Sequence, residues 1–256
     1  MGNRSGAGPP IQSVDITCDI IDVIAEEGPI GVSRLAETLG RSKSTIHDHV
    51  TTLGENELIV ERNGGYCLSL RLAGLSRQAK KQHSDFSIVR EAVDELSSRV
   101  GEPAHFGSED FGNLVYLYRT DNDADVSQPY RPDVEEPLHC TALGKAILAF
   151  MSDERVGEII DTHGLERRTP NTIADRAELL EELERIRAQK FATDDEELAN
   201  GMRSVAAPIM DDDDLIGAIG IFGPVSRFDD ERIDNELSDQ VKRAANLIEI
   251  NSMFSE

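Results

Sequence analysis

Nowhere do the 256 residues run through the ~20 consecutive apolar positions that a helix needs to cross a bilayer. Met1 to Pro10 lack the apolar core of a secretion signal. No membrane partner is expected, and a soluble cytoplasmic protein is. Cysteine is sparse: Cys18, Cys67 and Cys140 are scattered, odd in number and form no C-x-x-C pair. Neither a disulfide framework nor a cysteine zinc site fits that spacing. The phosphate-loop spacing Gly-x-x-x-x-Gly-Lys is missing, as are a G-x-S-x-G elbow and an H-E-x-x-H pair. Neither a cofactor nor a metal is expected, and no catalytic residue stands out. Lysine is also short, with only 6 among 26 basic residues.

Acid is what the chain has in excess. With 49 Asp and Glu the formal net charge is -23, spread through the foldable segments. Such a surface suits a protein working in very high salt, where like-charge repulsion is screened. The load is uneven. Residues 1–83 hold 9 Lys and Arg against 10 Asp and Glu, a net of -1, while the remainder holds 17 against 39, a net of -22. The N-terminal third keeps the near-neutrality that an approach to phosphate requires.

Hydrophobic residues make up 39% of the chain, enough for real cores. Residues 1–10 read as a disordered lead-in. Residues 11–71 then carry three short helical stripes and a hairpin. The first stripe is Val14, Cys18, Ile21 and Ile24, ended by Gly28-Pro29; the second is Val32, Leu35, Ala36 and Leu39, stopped by Gly40. Ser42 caps the third, which buries Ile46, Val50 and Leu53. Strands at 58–62 and 66–70 flank Asn63-Gly64-Gly65, a tight-turn signal. That order is the plan of a winged helix-turn-helix. Residues 72–83 read as a linker helix. Residues 84–256 mix strands and helices without a βαβ rhythm, so the fold class is α+β, with an antiparallel sheet flanked by helices.

In a helix-turn-helix the N-terminal part of the third helix meets DNA. The candidates are Arg41, Ser42, Lys43, Ser44, Thr45, His47 and Thr51, joined by Arg62 and Asn63 at the wing tip. Lys43, Ser44 and Thr45 stand where helix N–H groups also favour phosphate. A helical protein-interaction domain with solvated charges is the plainer reading. His47-Asp48-His49 cannot converge on one metal ion, because neighbours on a helix diverge; His49 belongs beside the buried stripe. His139-Cys140 could be a nucleophile pair, yet adjacent residues point apart and no orienting partner is evident.

Further segments fall in a recognisable order. They are His139-Cys140-Thr141-Ala142-Leu143-Gly144-Lys145-Ala146-Ile147-Leu148-Ala149, Gly164-Leu165 through Thr169-Pro170-Asn171-Thr172-Ile173, Asp194-Asp195-Glu196-Glu197, Val205-Ala206-Ala207-Pro208 and Gly223-Pro224-Val225-Ser226-Arg227. Together they resemble the signature of IclR-type transcription regulators, from about residue 12 onward, and with the acidic bias a haloarchaeal member. The resemblance implies a winged helix, a linker helix and a GAF-like effector domain with a curved sheet. It implies homodimers or dimers of dimers, and a small organic-acid or sugar-derived effector. Carried over by position, the effector pocket involves Ala142, Leu143, Asp194, Met202, Ser204, Gly220 and Phe222. Each has a plainer role in the core or as a cap. Many members carry serines where Gly220 and Phe222 stand, so the ligand class does not transfer. Asp48 replaces a usual arginine, and Glu57 a usual glycine before the wing.

The expectation is therefore a regulator that binds a palindromic operator in double-stranded DNA under the control of a small molecule. The alternative is a metabolite-binding enzyme whose small helical domain oligomerises.

Overall fold

The computed structural model describes residues 11–83, 86–120, 135–212 and 214–253. The expected lead-in 1–10 lies outside them. Backbone contacts divide the chain into two compact units, one ending at Gln82 and one starting at His83.

The first unit holds α1 (Gln12–Glu27), α2 (Val32–Thr38), α3 (Lys43–Glu55), β1 (Ile59–Arg62), β2 (Gly65–Leu68) and all but the last residue of α4 (Arg71–His83). One apolar cluster binds the first three helices and the hairpin: Ile16, Ile20 and Ile24 from α1, Leu35 and Ala36 from α2, Ile46, Val50 and Leu53 from α3, and Ile59 from β1. Here α1 corrects the sequence expectation. Val14 and Cys18 are exposed and Ile21 only half-buried. Two apolar stripes run along this helix at helical spacing, and the one with three isoleucines buries more surface. Ser42 Oγ accepts from Thr45 N at 3.1 Å and so starts α3. In the hairpin Arg62 pairs with Gly65, leaving Asn63 and Gly64 as the turn, at φ 52° and 79°. Both positions need the left-handed region in a type I′ turn, which asparagine and glycine tolerate. The second strand stops short of residue 70 because Ser69 Oγ takes up Arg71 N and opens α4. Glu57 sits at φ 59°, the reason a glycine suits that position.

The second unit is built on one six-stranded antiparallel sheet in the order β5-β4-β3-β8-β7-β6. Its strands are β3 (Ala104–Asp110), β4 (Asn113–Arg119), β5 (Glu135–Pro137), β6 (Ala192–Asp195), β7 (Met202–Asp211) and β8 (Asp214–Pro224). The central strands β3, β8 and β7 are apolar on both faces, since helices cover both. On one face Val205, Ala207, Ile209, Ile219 and Ile221 pack with α5 (Phe86–Val100) and α10 (Ser238–Met253). On the other, Ala206, Ala218 and Phe222 pack with α6 (Ala142–Ala149), α7 (Asp153–His163) and α8 (Arg176–Gln189). The short α9 (Asp230–Arg232) and a π turn at Ile233–Leu237 precede α10. Thr141 Oγ1 accepts from Gly144 N at 2.9 Å and caps α6. A Cβ on Gly144 would lie 2.2 Å from the Leu138 carbonyl oxygen. Only glycine lets α6 come that close to the preceding turn.

Candidate functional site

The outward face of α3 is as the stripe predicts. Ile46, Val50 and Leu53 point into the core, while Arg41, Ser42, Lys43, Ser44, His47 and Thr51 are exposed and Thr45 half-exposed. Arg62 and Asn63 stand exposed at the hairpin turn of the same unit. Three of the hydroxyls are committed internally: Ser42 to the cap, Thr45 to Ser42 Oγ at 2.8 Å, and Thr51 as a donor to the His47 carbonyl at 2.8 Å. The free N–H groups at the start of α3, with Lys43 beside them, form an anion-attracting end. Asp48 opposes it, its side chain 80% exposed on this surface. His49 turns away instead, its Nδ1 2.8 Å from Thr17 Oγ1. That hydroxyl donates to the Ser13 carbonyl, so the ring nitrogen supplies the N–H and ties α3 to α1.

The second candidate region is the α6 face of the sheet. Strand register sets Asp194 opposite Ser204 and Ser204 opposite Phe222, with Ala206 opposite Gly220. Alternation then puts Asp194, Met202, Ser204, Gly220 and Phe222 on one face of three adjacent strands. Ala142 and Leu143 belong to the same buried cluster, at the start of α6. So the structure brings the seven sequence candidates to one face. Two of them already have structural duties. Asp194 accepts Glu197 N at 2.7 Å and Leu198 N at 3.3 Å on one oxygen, and Ser204 Oγ at 3.2 Å on the other.

The face also holds residues that the sequence reading missed. The His105 ring lies 4.9 Å from that of Phe222 and 5.5 Å from that of Tyr116. A Cβ on Gly220 would lie 2.7 Å from the Val205 carbonyl oxygen and 3.1 Å from the ring's Nε2. The Arg119 guanidinium lies 4.8 Å from the Phe222 ring centre. Burial drives the His105 pKa down to about 3, with the Arg119 charge adding to it, so the ring is neutral. Burial also lifts the Tyr116 hydroxyl well above its ordinary value, helped by the charges of Glu136 and Asp194. Perturbed groups gathered on one face mark a functional-site candidate. A histidine and a tyrosine on adjacent strands carry no spacing motif, so only the register reveals them.

The His139-Cys140 pair does not assemble. His139 Nε2 donates to the Glu166 carbonyl at 3.0 Å, and Cys140 Sγ leans toward the Pro137 carbonyl at 3.7 Å. Burial first, and then the charge of Asp194, push the Cys140 thiol up to about 12. A nucleophile needs the thiolate. Among the described residues no cluster of three or more His, Cys, Asp or Glu is placed to hold a metal ion, and no helix is long and apolar enough to cross a membrane. A cavity of about 200 Å³ opens among Leu138, His139, Ile160, His163 and Glu166. None of the seven candidates lines it.

Known proteins carry the same arrangement. The family model for the bacterial transcriptional regulator IclR C-terminal domain matches residues 79–250, and a second, HVO_A0114, matches residues 15–68. The chain is 32% identical over 254 residues to the "Probable HTH-type transcriptional regulator ArcR" of Halobacterium salinarum, with 96% of each protein covered. The crystal structure of the Thermotoga maritima IclR superposes with a TM-score of 0.76 at 27% identity, over 94% of this chain and 98% of that one. An IclR homolog of Microbacterium hydrocarbonoxydans complexed with 4-hydroxybenzoate shares the fold, with a TM-score of 0.80 at 18% identity over 95% and 100% of the two chains. A winged helix followed by a helix-covered antiparallel sheet, matched along nearly the whole length by such relatives, places this chain in the IclR family of transcriptional regulators.

Proposed function

We propose that this regulator grips a palindromic operator as a homodimer or a dimer of dimers, and that a small organic acid or sugar-derived metabolite on the α6 face of the sheet modulates the grip. The observation that carries the DNA reading is α3 itself. It is capped by Ser42, anchored by Ile46, Val50 and Leu53, and turns Arg41, Lys43, Ser44, His47 and Thr51 outward. Arg62 and Asn63 extend that surface at the wing. A single winged helix reads few base pairs, so specificity against a genome calls for two half-sites and a symmetric assembly.

The effector reading draws on the buried, pKa-shifted cluster around Phe222 and on the 4-hydroxybenzoate held by the Microbacterium homolog. The protein works without catalysis, inside the cell where its operator is. The protonated Cys140 thiol, turned toward a carbonyl, speaks against the His139-Cys140 pair as the nucleophile of an enzyme.

The test is a gel shift on the DNA upstream of the protein's own gene, in molar KCl, with light scattering at the same salt. A retarded band that small carboxylates or sugar acids shift, from an even-numbered oligomer, is expected. A monomer, or no preference over random DNA, overturns the reading.

A further inference from the structure

Tyr116 and Arg119 are three residues apart on β4, and in a regular strand that spacing sends side chains to opposite faces. Here it does not. Phe106 pairs with Tyr118 and Gly107 with Tyr116, so Leu117 is an extra residue, a bulge in the β3–β4 ladder. Leu117 and Tyr118, though adjacent, both pack on the α5 side, where the Tyr118 hydroxyl donates to Asp94 at 2.8 Å. The register resumes with Arg119 opposite His105. The bulge therefore returns Arg119 to the α6 face, above the Phe222 ring. Bulges beside functional sites re-aim side chains in this way.

We infer that Arg119, turned inward by the Leu117 bulge, is the group that selects a carboxylate effector in this protein. The inference rests on the effector reading above. A carboxylate needs donors, and positions 220 and 222 offer none, being glycine and phenylalanine. A guanidinium gives two parallel N–H donors matched to a carboxylate, and it carries the compensating charge. The aromatic part of the wall adds no negative charge. His105 is neutral, and Tyr116 keeps its proton. Asp194, the nearby acid, has both oxygens engaged by Glu197 N, Leu198 N and Ser204. The ligand class is a small organic monocarboxylate.

The test compares carboxylates with their own primary amides, which keep shape and lose charge. Calorimetry with 4-hydroxybenzoate, benzoate and pyruvate, each beside its amide, is run on wild type, Arg119→Gln, Arg119→Lys and Ser204→Val. At least one acid should bind wild type more tightly than its amide. Arg119→Gln should weaken that acid about 10- to 100-fold and leave the amide unchanged, as expected for one charged hydrogen bond. Arg119→Lys should restore part of the preference, and it carries the test if the glutamine variant fails to fold. Acid affinity lowered by Ser204→Val but not by Arg119→Gln overturns the inference and leaves the pocket standing. Affinity untouched by any variant overturns the pocket too. No acid preferred over its amide on wild type overturns the carboxylate assignment.

Discussion

Lys145 and Glu197 form an ion pair whose side chains are 1% and 7% exposed, closing a link between α6 and the turn after β6. Glu182 of α8 approaches the same ammonium at 3.7 Å and is itself paired with Arg185. Thr172 Oγ1 and Thr169 Oγ1 donate to carbonyls of Glu197 and Glu196, so the turn is held from both sides.

Removing Lys145 should therefore cost far more than a surface charge. Lys145→Met leaves carboxylates buried without their cation, a loss of about 3–5 kcal/mol at neutral pH. The pH dependence has a definite sign. Burial raises the Glu197 pKa above its ordinary value, against the opposing pull of Lys145. The folded state thus holds that proton more readily, and this group's contribution worsens as pH rises through the folded pKa. The variant's deficit, measured by urea unfolding, should be smaller at pH 5 than at pH 7.5. An equal deficit at both would contradict a charged, unpaired Glu197.

His105 predicts the opposite slope. Its folded pKa is depressed to about 3. Below the ordinary value near 6.5 the unfolded chain takes up a proton that the folded one refuses. Stability should fall by about 1.4 kcal/mol per pH unit from this group between about 6 and 4. His105→Phe should flatten that part of the profile, whatever its effect at pH 8. If the acid limb keeps its steepness, the ring is not neutral in the folded protein.

On the DNA side, Lys43→Ala and Arg62→Ala should each weaken binding to every sequence alike. Each should flatten the plot of log affinity against log salt by about one unit, as for one lost phosphate contact. Asp48→Asn should act in reverse, tightening binding at low salt. Binding unchanged in all three would move the DNA surface elsewhere.

Glu57→Gly should raise the thermal midpoint. The residue is held at φ 59°, where a side chain costs on the order of 1 kcal/mol relative to glycine, partly offset by the looser unfolded chain. A clear drop in the midpoint would show that the Glu57 side chain, 3.9 Å from Arg71, matters more than its backbone.

Much of this architecture could be read one element at a time. The cap Ser42, the Asn63-Gly64 turn and the stripe Ile46, Val50, Leu53 are local, and their physics acts within four residues. The ordered segments from His139 to Arg227 carried the family, and with it the seven positions that the sheet gathers on one face.

What the sequence could not decide were choices made by distant partners. Which stripe of α1 is buried depends on what α2 and α3 bring to it, and Val14 and Ile16 are equally apolar neighbours. The bulge at Leu117 has no signature in β4; it exists because Gly107 and Phe106 of β3 set the pairing. From that one displaced register come the inward Arg119 and its place over Phe222, 103 residues further along the chain. Local periodicity determines what kind of element a segment forms, whereas the face that an element presents is settled only when cross-strand hydrogen bonds and buried volume choose a register.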